Sequence, residues 1–311
     1  MVRYVLRKLL LVLISLFILA TATFFLMKAI PGDPFMSEKM PSPEILANLK
    51  AYYGLDKPVM VQYWNYIKSI ATLDLGVSMK WQGRTVNGIV EGSFGNSLRL
   101  GLCAIIVSVC VGVTLGTIAA LRHRRLMDNL AMIIAVLGVA VPSFVMATLL
   151  QFVFASKLHL FDVAGLNDPS DYVLPSLALA FSPIAFIARL TRSNMLEVMS
   201  SDYIKTAKAK GLSGTAITIK HALRNAILPV VTYLGPLTTG VITGSVVIEK
   251  IFGIPGLGKH FVESVSNRDY TLIMGLTLFY GAILMAARFL TDVAYVLVDP
   301  RIKLTGGKEK A

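Results

Sequence analysis

Six apolar runs, at about 9–30, 97–121, 130–155, 174–190, 226–248 and 272–298, leave this 311-residue chain little choice of fold. A helix rises about 1.5 Å per residue and a bilayer's hydrocarbon core is about 30 Å thick, so a run near twenty residues reaches across. In hydrocarbon every backbone polar group must be satisfied internally, which leaves helices as the economical solution. Only 15% of the residues are charged and 55% are hydrophobic, whereas an ordinary soluble domain is about 25% charged. The expectation is an all-α integral membrane protein with six transmembrane helices, the fourth being the shortest.

Charge placement sets the orientation. Arg3, Arg7 and Lys8 precede the first run, and Arg122, His123, Arg124 and Arg125 follow the second. A long basic stretch follows the fourth run, and Arg301, Lys303, Lys308 and Lys310 follow the sixth. Between them, 156–173 sets Lys157 against Asp162, Asp168 and Asp171, and 249–271 is balanced. Basic loops stay inside, so both termini are expected in the cytoplasm. The first run has a signal peptide's positive start, but it is long enough to span and ends in Lys28 and PGDP without a small-residue cleavage pattern. It reads as a retained span. The expected organisation is an N-terminus and first span over 1–30, an outer segment over 31–96, a five-span core over 97–298 with an inner loop at 191–225, and an inner tail at 299–311.

A net charge of +12 and a pI near 9.7 would suit a nucleic-acid binder on a soluble protein. Here the basic residues flank apolar runs, so the expected contact is membrane lipid and no nucleic acid. Cys103 and Cys110 are seven apart in one helical run, roughly 10 Å along the axis, which is too far for a disulfide. They read as packing residues. Gly112 with Gly116, and Gly240 with Gly244, form GxxxG pairs suited to close helix approach. Pro142, Pro183 and Pro236 fall inside runs three, four and five.

Within 31–96, Ser42-Pro43-Glu44 is a helix start, Gly54 a stop, and Met60, Tyr63, Trp64, Ile67 and Ile70 have amphipathic spacing after Pro58. Trp64 and Trp81 both lie here, as at a membrane surface. The segment is either an outer cap that receives a partner or substrate, or an interfacial helix sealing the rim.

The segment 202–229, DYIKTAKAKGLSGTAITIKHALRNAILP, is the longest polar interruption expected to face the cytoplasm. Ser200, Ser201 or Asp202 can cap a helix, and Gly211 sits where a left-handed stop belongs. Lys208 and Lys210 then occupy the last turn, where cations suit the helix dipole. Tyr203, Thr206, Ala207 and Lys210 share one small face. A short capped helix just outside the membrane suits docking of a partner; a basic loop that fixes topology and touches anionic lipid is the alternative.

Little in the sequence points to chemistry. The spans carry few ionisable groups: Lys28, Arg99 and Arg189 lie near ends, and Arg288 with Asp292 forms an i, i+4 pair. A proton- or sodium-driven carrier would usually place carboxylates at mid-membrane. GIPGLGKH at 253–260 matches the start of a phosphate-binding loop, but His260 stands where Ser or Thr belongs and the topology puts it outside. The four histidines are scattered, and HExxH, CxxC and GxSxG are absent. No catalytic or metal site is expected, and no cofactor bound by this chain.

A pathway without its own engine but with a docking loop also resembles a known family. ARLTRSNMLEVMSSDYIKTAKAKGLS, followed by HALRNAILPVVT, is similar to the coupling loop of ABC importer permeases of the dipeptide/oligopeptide class. The general pattern there is EAA, three residues, Gly, nine residues, then IxLP. Gly211 fits, Thr206 and Ala207 stand upstream, and His221 and Leu223 follow at the right distance. Lys205 replaces the Glu and Arg224 the Pro, with Pro229 five residues later. PGDP, YGLDKPVMVQYWNYI, LDLGVS (Leu73 replacing the usual Gly), FGIPGLGKHFVESVSNRDY and DPRIKL extend the resemblance over nearly the whole chain. The spacing of VIEKIF and PGLG and the ending LTGG resemble the first permease subunit of oligopeptide importers most closely.

The resemblance implies a type I ABC importer permease bundle in a bacterial cytoplasmic membrane. A second, homologous permease completes the pathway, two cytoplasmic ATPase subunits use the ATP, and an extracytoplasmic peptide-binding protein delivers oligopeptides. Asp202, Tyr203, Thr206, Ala207, Lys210 and Gly211 would form the ATPase-coupling helix, with His221, Leu223, Arg224 and Pro229 supporting it. The chain itself would not be an enzyme. Dipeptides, or nickel or another small solute, are alternative cargoes within the family, and an ion-coupled secondary carrier is an alternative outside it.

Overall fold

The computed structural model describes residues 2–30, 32, 34–35 and 42–298, apart from the side chains of 2–4, 239, 242–245 and 292–298. The expected inner tail and its DPRIKL ending, with parts of PGDP and the Asp292 side chain, lie outside the described residues. Thirteen α-helices occur among them: α1 (Val2–Ala29), α2 (Pro43–Tyr52), α3 (Val59–Ala71), α4 (Val86–Leu121), α5 (Leu126–Ala140), α6 (Ser143–Leu150), α7 (Val173–Ser200), α8 (Asp202–Ala209), α9 (Gly214–Ala216), α10 (Arg224–Ala226), α11 (Leu228–Ile251), α12 (Leu257–Asn267) and α13 (Tyr270–Val298). Two π-helical segments, Gln151–Lys157 and Ile217–Leu223, and a 3₁₀ turn, Pro169–Tyr172, complete them.

Helices at Val5–Ala29, Val86–Leu121, Pro169–Ser200 and Tyr270–Thr291 are long and apolar enough to cross a membrane. The third run is not one straight span. Leu126–Ala140 and Ser143–Lys157 meet at 107°. Pro142 lacks an N–H and disfavours helical geometry in the residue before it, and Val141 is extended at φ −87°, ψ 120°. Pro183 and Pro236, by contrast, sit inside continuous helices. The fifth run gives only Leu228–Thr238 as a shorter apolar helix among the described residues.

The described residues form two compact units: those up to Gly95 with Gly256–Leu290, and Asn96–Pro255 with Thr291–Val298. In the first, α3 meets α1 through aromatic packing. Tyr63 stacks on Phe25 at 5.4 Å, Tyr66 stacks on Phe24 at 5.6 Å, and the Tyr63 and Thr21 hydroxyls are 2.9 Å apart. Only Tyr63 of the predicted amphipathic face is buried; Met60 and Trp64 are exposed. The start of α4, α12 and the start of α13 share a core of Val86, Ile89, Val90, Leu257, Leu272 and Leu276.

Asp269 holds this unit's loop. It is 1% exposed, and its carboxylate accepts from the backbone N–H groups of Met79 (3.1 Å), Lys80 (3.3 Å) and Leu272 (3.1 Å), and from the Ser78 hydroxyl. A buried carboxylate is tolerated only with such full satisfaction. Asp269→Asn replaces one acceptor oxygen with a donor facing N–H or O–H groups, so a loss of about 2 kcal/mol is expected. Earlier proteolysis within 74–84 in the folded variant is the measurable sign; unchanged cleavage would remove this role.

In the second unit α7 is the central helix. A Cβ on Gly112 would stand 2.8 Å from Ile187, one on Gly116 2.5 Å from the Ala188 carbonyl oxygen, and one on Gly138 2.6 Å from Ala185. The first GxxxG pair is therefore a helix-packing face, as its spacing suggests. Gly240 has nothing within 4 Å of such a Cβ. Cys103 and Cys110 are exposed on α4 rather than packed inside, because the buried side of that helix is set by Leu100, Ala104 and Ser108.

Candidate functional site

The loop after α7 folds as two short helical pieces on a small apolar base. Ser201 occupies the cap position of α8 at φ −70°, ψ 155°, but its hydroxyl donates back to the Val198 carbonyl at 2.6 Å instead of capping. Asp202 lies in the first turn and accepts from Lys205 at 2.8 Å, while Lys208 lies in the last, as the dipole favours. Gly211 adopts φ +76°, the left-handed stop that glycine accepts most cheaply. The Leu212 N–H reaches the Ala207 carbonyl at 3.3 Å, closing the end.

Ile204 (0% exposed) and Ala207 (7%) turn inward onto Met195, Ile217, Ala222 and Ala226. Ala207 therefore belongs to the base and not to the exposed face on which its spacing with Tyr203, Thr206 and Lys210 placed it. The outward face carries Asp202, Tyr203, Lys205, Thr206, Lys208 and Lys210, all exposed. Ile204 is the one large aliphatic side chain in α8 after Tyr203, and its position could have shown which way the helix turns.

Of the residues after Gly211, Ile217 and Leu223 pack against the apolar base of α8. Ser213 caps α9, its hydroxyl accepting from Ala216 at 3.3 Å. Leu223 is partly buried against the base, His221 is half-buried, Arg224 is exposed, and Pro229 stands in the first turn of α11. Asn225, which the sequence did not single out, makes the direct link. Its amide donates to the Tyr203 hydroxyl at 2.8 Å and to the His221 carbonyl at 3.2 Å.

A second unforeseen cluster anchors the C-terminal end of α7. Asp128 is 2% exposed and receives Arg192 Nε at 2.5 Å and Arg192 Nη2 at 2.8 Å. The Arg124 N–H donates to it at 2.9 Å, and His123 Nδ1 lies 3.1 Å away. A bidentate guanidinium–carboxylate pair fixes orientation as well as distance. It ties α5 and the basic 122–125 loop to α7 ten residues before α8 begins.

The phosphate-loop resemblance fails structurally. Helix α11, not a strand, leads into 253–260, and Lys259 lies within α12, 3.9 Å from Glu263. Among the described residues no group of three or more His, Cys, Asp or Glu is placed to hold a metal ion.

The chain belongs to the family of binding-protein-dependent transport system inner membrane components, whose model matches residues 112–304, and the family's N-terminal model matches 1–97. It is 51% identical over 304 residues to the dipeptide transport system permease protein DppB of Bacillus subtilis, covering 98% of this chain and 99% of that one. It is 44% identical over 305 residues to the oligopeptide transport system permease protein OppB of Salmonella typhimurium, covering 97% and 100%. A solved amino acid ABC transporter superposes with a TM-score of 0.52 at 16% identity, covering 67% of this chain and 94% of that one. That likeness shows an ABC transporter permease fold. The resemblance to dipeptide/oligopeptide permeases thus holds, and the chain is a membrane transport component.

Proposed function

We propose that this chain is one permease subunit of an ATP-driven peptide importer. It crosses the membrane six times with both termini in the cytoplasm and encloses the pathway with a second, homologous permease. An extracytoplasmic binding protein delivers peptide to the outer segments, and two cytoplasmic ATPase subunits dock on α8 and its counterpart. ATP is used by those subunits; this chain binds no cofactor of its own. The observation that carries the reading is α8 itself: a short helix stopped by Gly211, seated on a buried apolar base, with its polar face outward. Such a helix transmits a displacement that a loose loop would absorb. Relatives named for both dipeptides and oligopeptides support peptides as the cargo class, with dipeptides as good a fit as the longer peptides that the C-terminal sequence suggests.

Nothing lies within 4 Å of a Cβ built at Gly211, so Gly211→Asp meets no packing clash, and its effects are a strained φ of +76° at the helix stop and a new charge at the exposed end of α8. The variant is expected to remain in the membrane with its partner permease while ATPase recovery on purification and peptide uptake both fall about tenfold or more, ~1.4 kcal/mol of docking. Parental uptake with full ATPase recovery would remove α8 as the docking element. A bulky Ala207 substitution tests something else, since it overpacks the base beneath α8.

A further inference from the structure

One cavity among the described residues has a composition that neither the packing nor the coupling site uses. It lies where α4 begins and encloses about 470 Å³ lined by Gly83, Arg84, Thr85, Gly88, Gly92, Ser93 and His260, with Ile89. That is within the range of small-ligand sites. Gly88 and Gly92 are exposed, one turn apart on α4, and a Cβ on Gly92 would meet nothing within 4 Å. Each glycine weakens a helix relative to alanine. Gly112 and Gly116, further along α4, repay that cost by packing on α7; Gly92 has no such neighbour. The floor is open backbone, suited to close approach by an extended chain.

The walls are polar and held in place. Trp81 orders two of them: the Arg84 guanidinium lies 5.1 Å over its ring, and the His260 ring meets its edge at 4.6 Å. Among the described residues the Arg84 side chain donates to no acceptor, and His260 Nδ1 is a buried atom without a hydrogen-bond partner. Burial holds the imidazole below its usual pKa, and the charges acting on it are Glu263 against Lys259 and Arg84. Glu263 is itself 3.9 Å from Lys259. Among the described residues the cavity thus offers an exposed guanidinium without an ion-pair partner, a buried imidazole nitrogen without a hydrogen-bond partner, two hydroxyl residues and a floor of glycine backbone. A guanidinium is suited to two-point recognition of a carboxylate.

We propose that this cavity is a subsite for the C-terminal carboxylate of an incoming peptide, with Arg84 taking the carboxylate, His260 a main-chain polar group, and Gly88 and Gly92 the peptide backbone. The inference rests on the peptide-importer reading and adds to it a specificity residue within the permease. The test uses the complete importer, with its binding protein, in vesicles loaded with ATP. Uptake of trialanine is compared with uptake of trialanine amide below saturation. The binding protein is the same for both permeases, so its own preference cancels when the acid-to-amide ratio of Arg84→Gln is divided by that of the parent. That quotient is expected to fall about tenfold, with Arg84→Lys between the two. A quotient of one overturns the subsite and leaves the importer reading intact, whereas a parent complex that carries neither peptide overturns the importer reading and the subsite together. Gly92→Leu fills the floor and is expected to stop uptake in an intact complex. If the two permeases instead fail to assemble, the groove is a helix-packing face and the subsite is wrong.

Discussion

Leucine in place of Gly116 is expected to keep the chain from accumulating in the membrane. The added Cβ would stand 2.5 Å from the Ala188 carbonyl oxygen, 2.7 Å from the Thr191 Cβ and 3.1 Å from the Arg192 nitrogen. Two of these are backbone atoms of α7, which cannot rotate aside as a side chain does. Overpacking against movable neighbours costs about 1–3 kcal/mol, and backbone obstruction belongs at or above the top of that range. Gly95→Leu is the matched control, because a Cβ there meets nothing within 4 Å on the same helix. Membrane-fraction immunoblotting of the two variants reads the difference directly. Equal, protease-resistant accumulation would show that α4 and α7 do not need this contact.

Removing the Asp128 carboxylate is expected to have the next largest effect. Asp128→Ala leaves Arg192 beside an apolar gap with its acceptor gone, and breaking a buried pair in this way costs about 3–5 kcal/mol. The Arg192 side chain is 22% exposed, so the lower end of that range applies here. The double variant Asp128→Ala, Arg192→Leu removes both charges and is expected to recover part of the loss. Thermal aggregation of the purified complex provides the measurement, and a double variant no more stable than Asp128→Ala would mean that the two side chains are not coupled. Because α8 follows directly from α7, uptake is expected to suffer even where the complex still forms.

These two sites also mark where the sequence stops being legible. Four of the six apolar runs, the start of α8 and the Gly211 stop are readable, because each depends on residues within a few helical turns. The Gly112/Gly116 spacing announced a packing face without naming its partner. Asp128 and Arg192 stand 64 positions apart, and Asp269 reaches back about 190 positions to Ser78 and Met79. Local periodicity carries no trace of such pairings. Ala207 was misplaced for a related reason: spacing defines a helical face, but only the tertiary position of Ile204 decides which face turns inward. The fold at Pro142 shows a different limit. Three prolines occupy similar apolar contexts, yet the chain bends by 107° at Pro142 and runs on as helix through Pro183 and Pro236, a difference that the local sequence does not encode.

The grip of three glycines on α7 has a mechanical consequence. Ridges that mesh at ordinary side-chain distance can slide by exchanging rotamers, but α4 and α5 approach α7 so closely that its backbone obstructs their Cβ positions. Axial slip of α7 would carry Ile187, Ala188 and Ala185 away from Gly112, Gly116 and Gly138, the positions whose missing Cβ leaves them room. Under the docking proposed at α8, a push there would load the block that α7 forms with α4 and α5, and the irregular elements beside that block are the corner at Pro142 and the π-helical turns at Gln151–Lys157 and Ile217–Leu223.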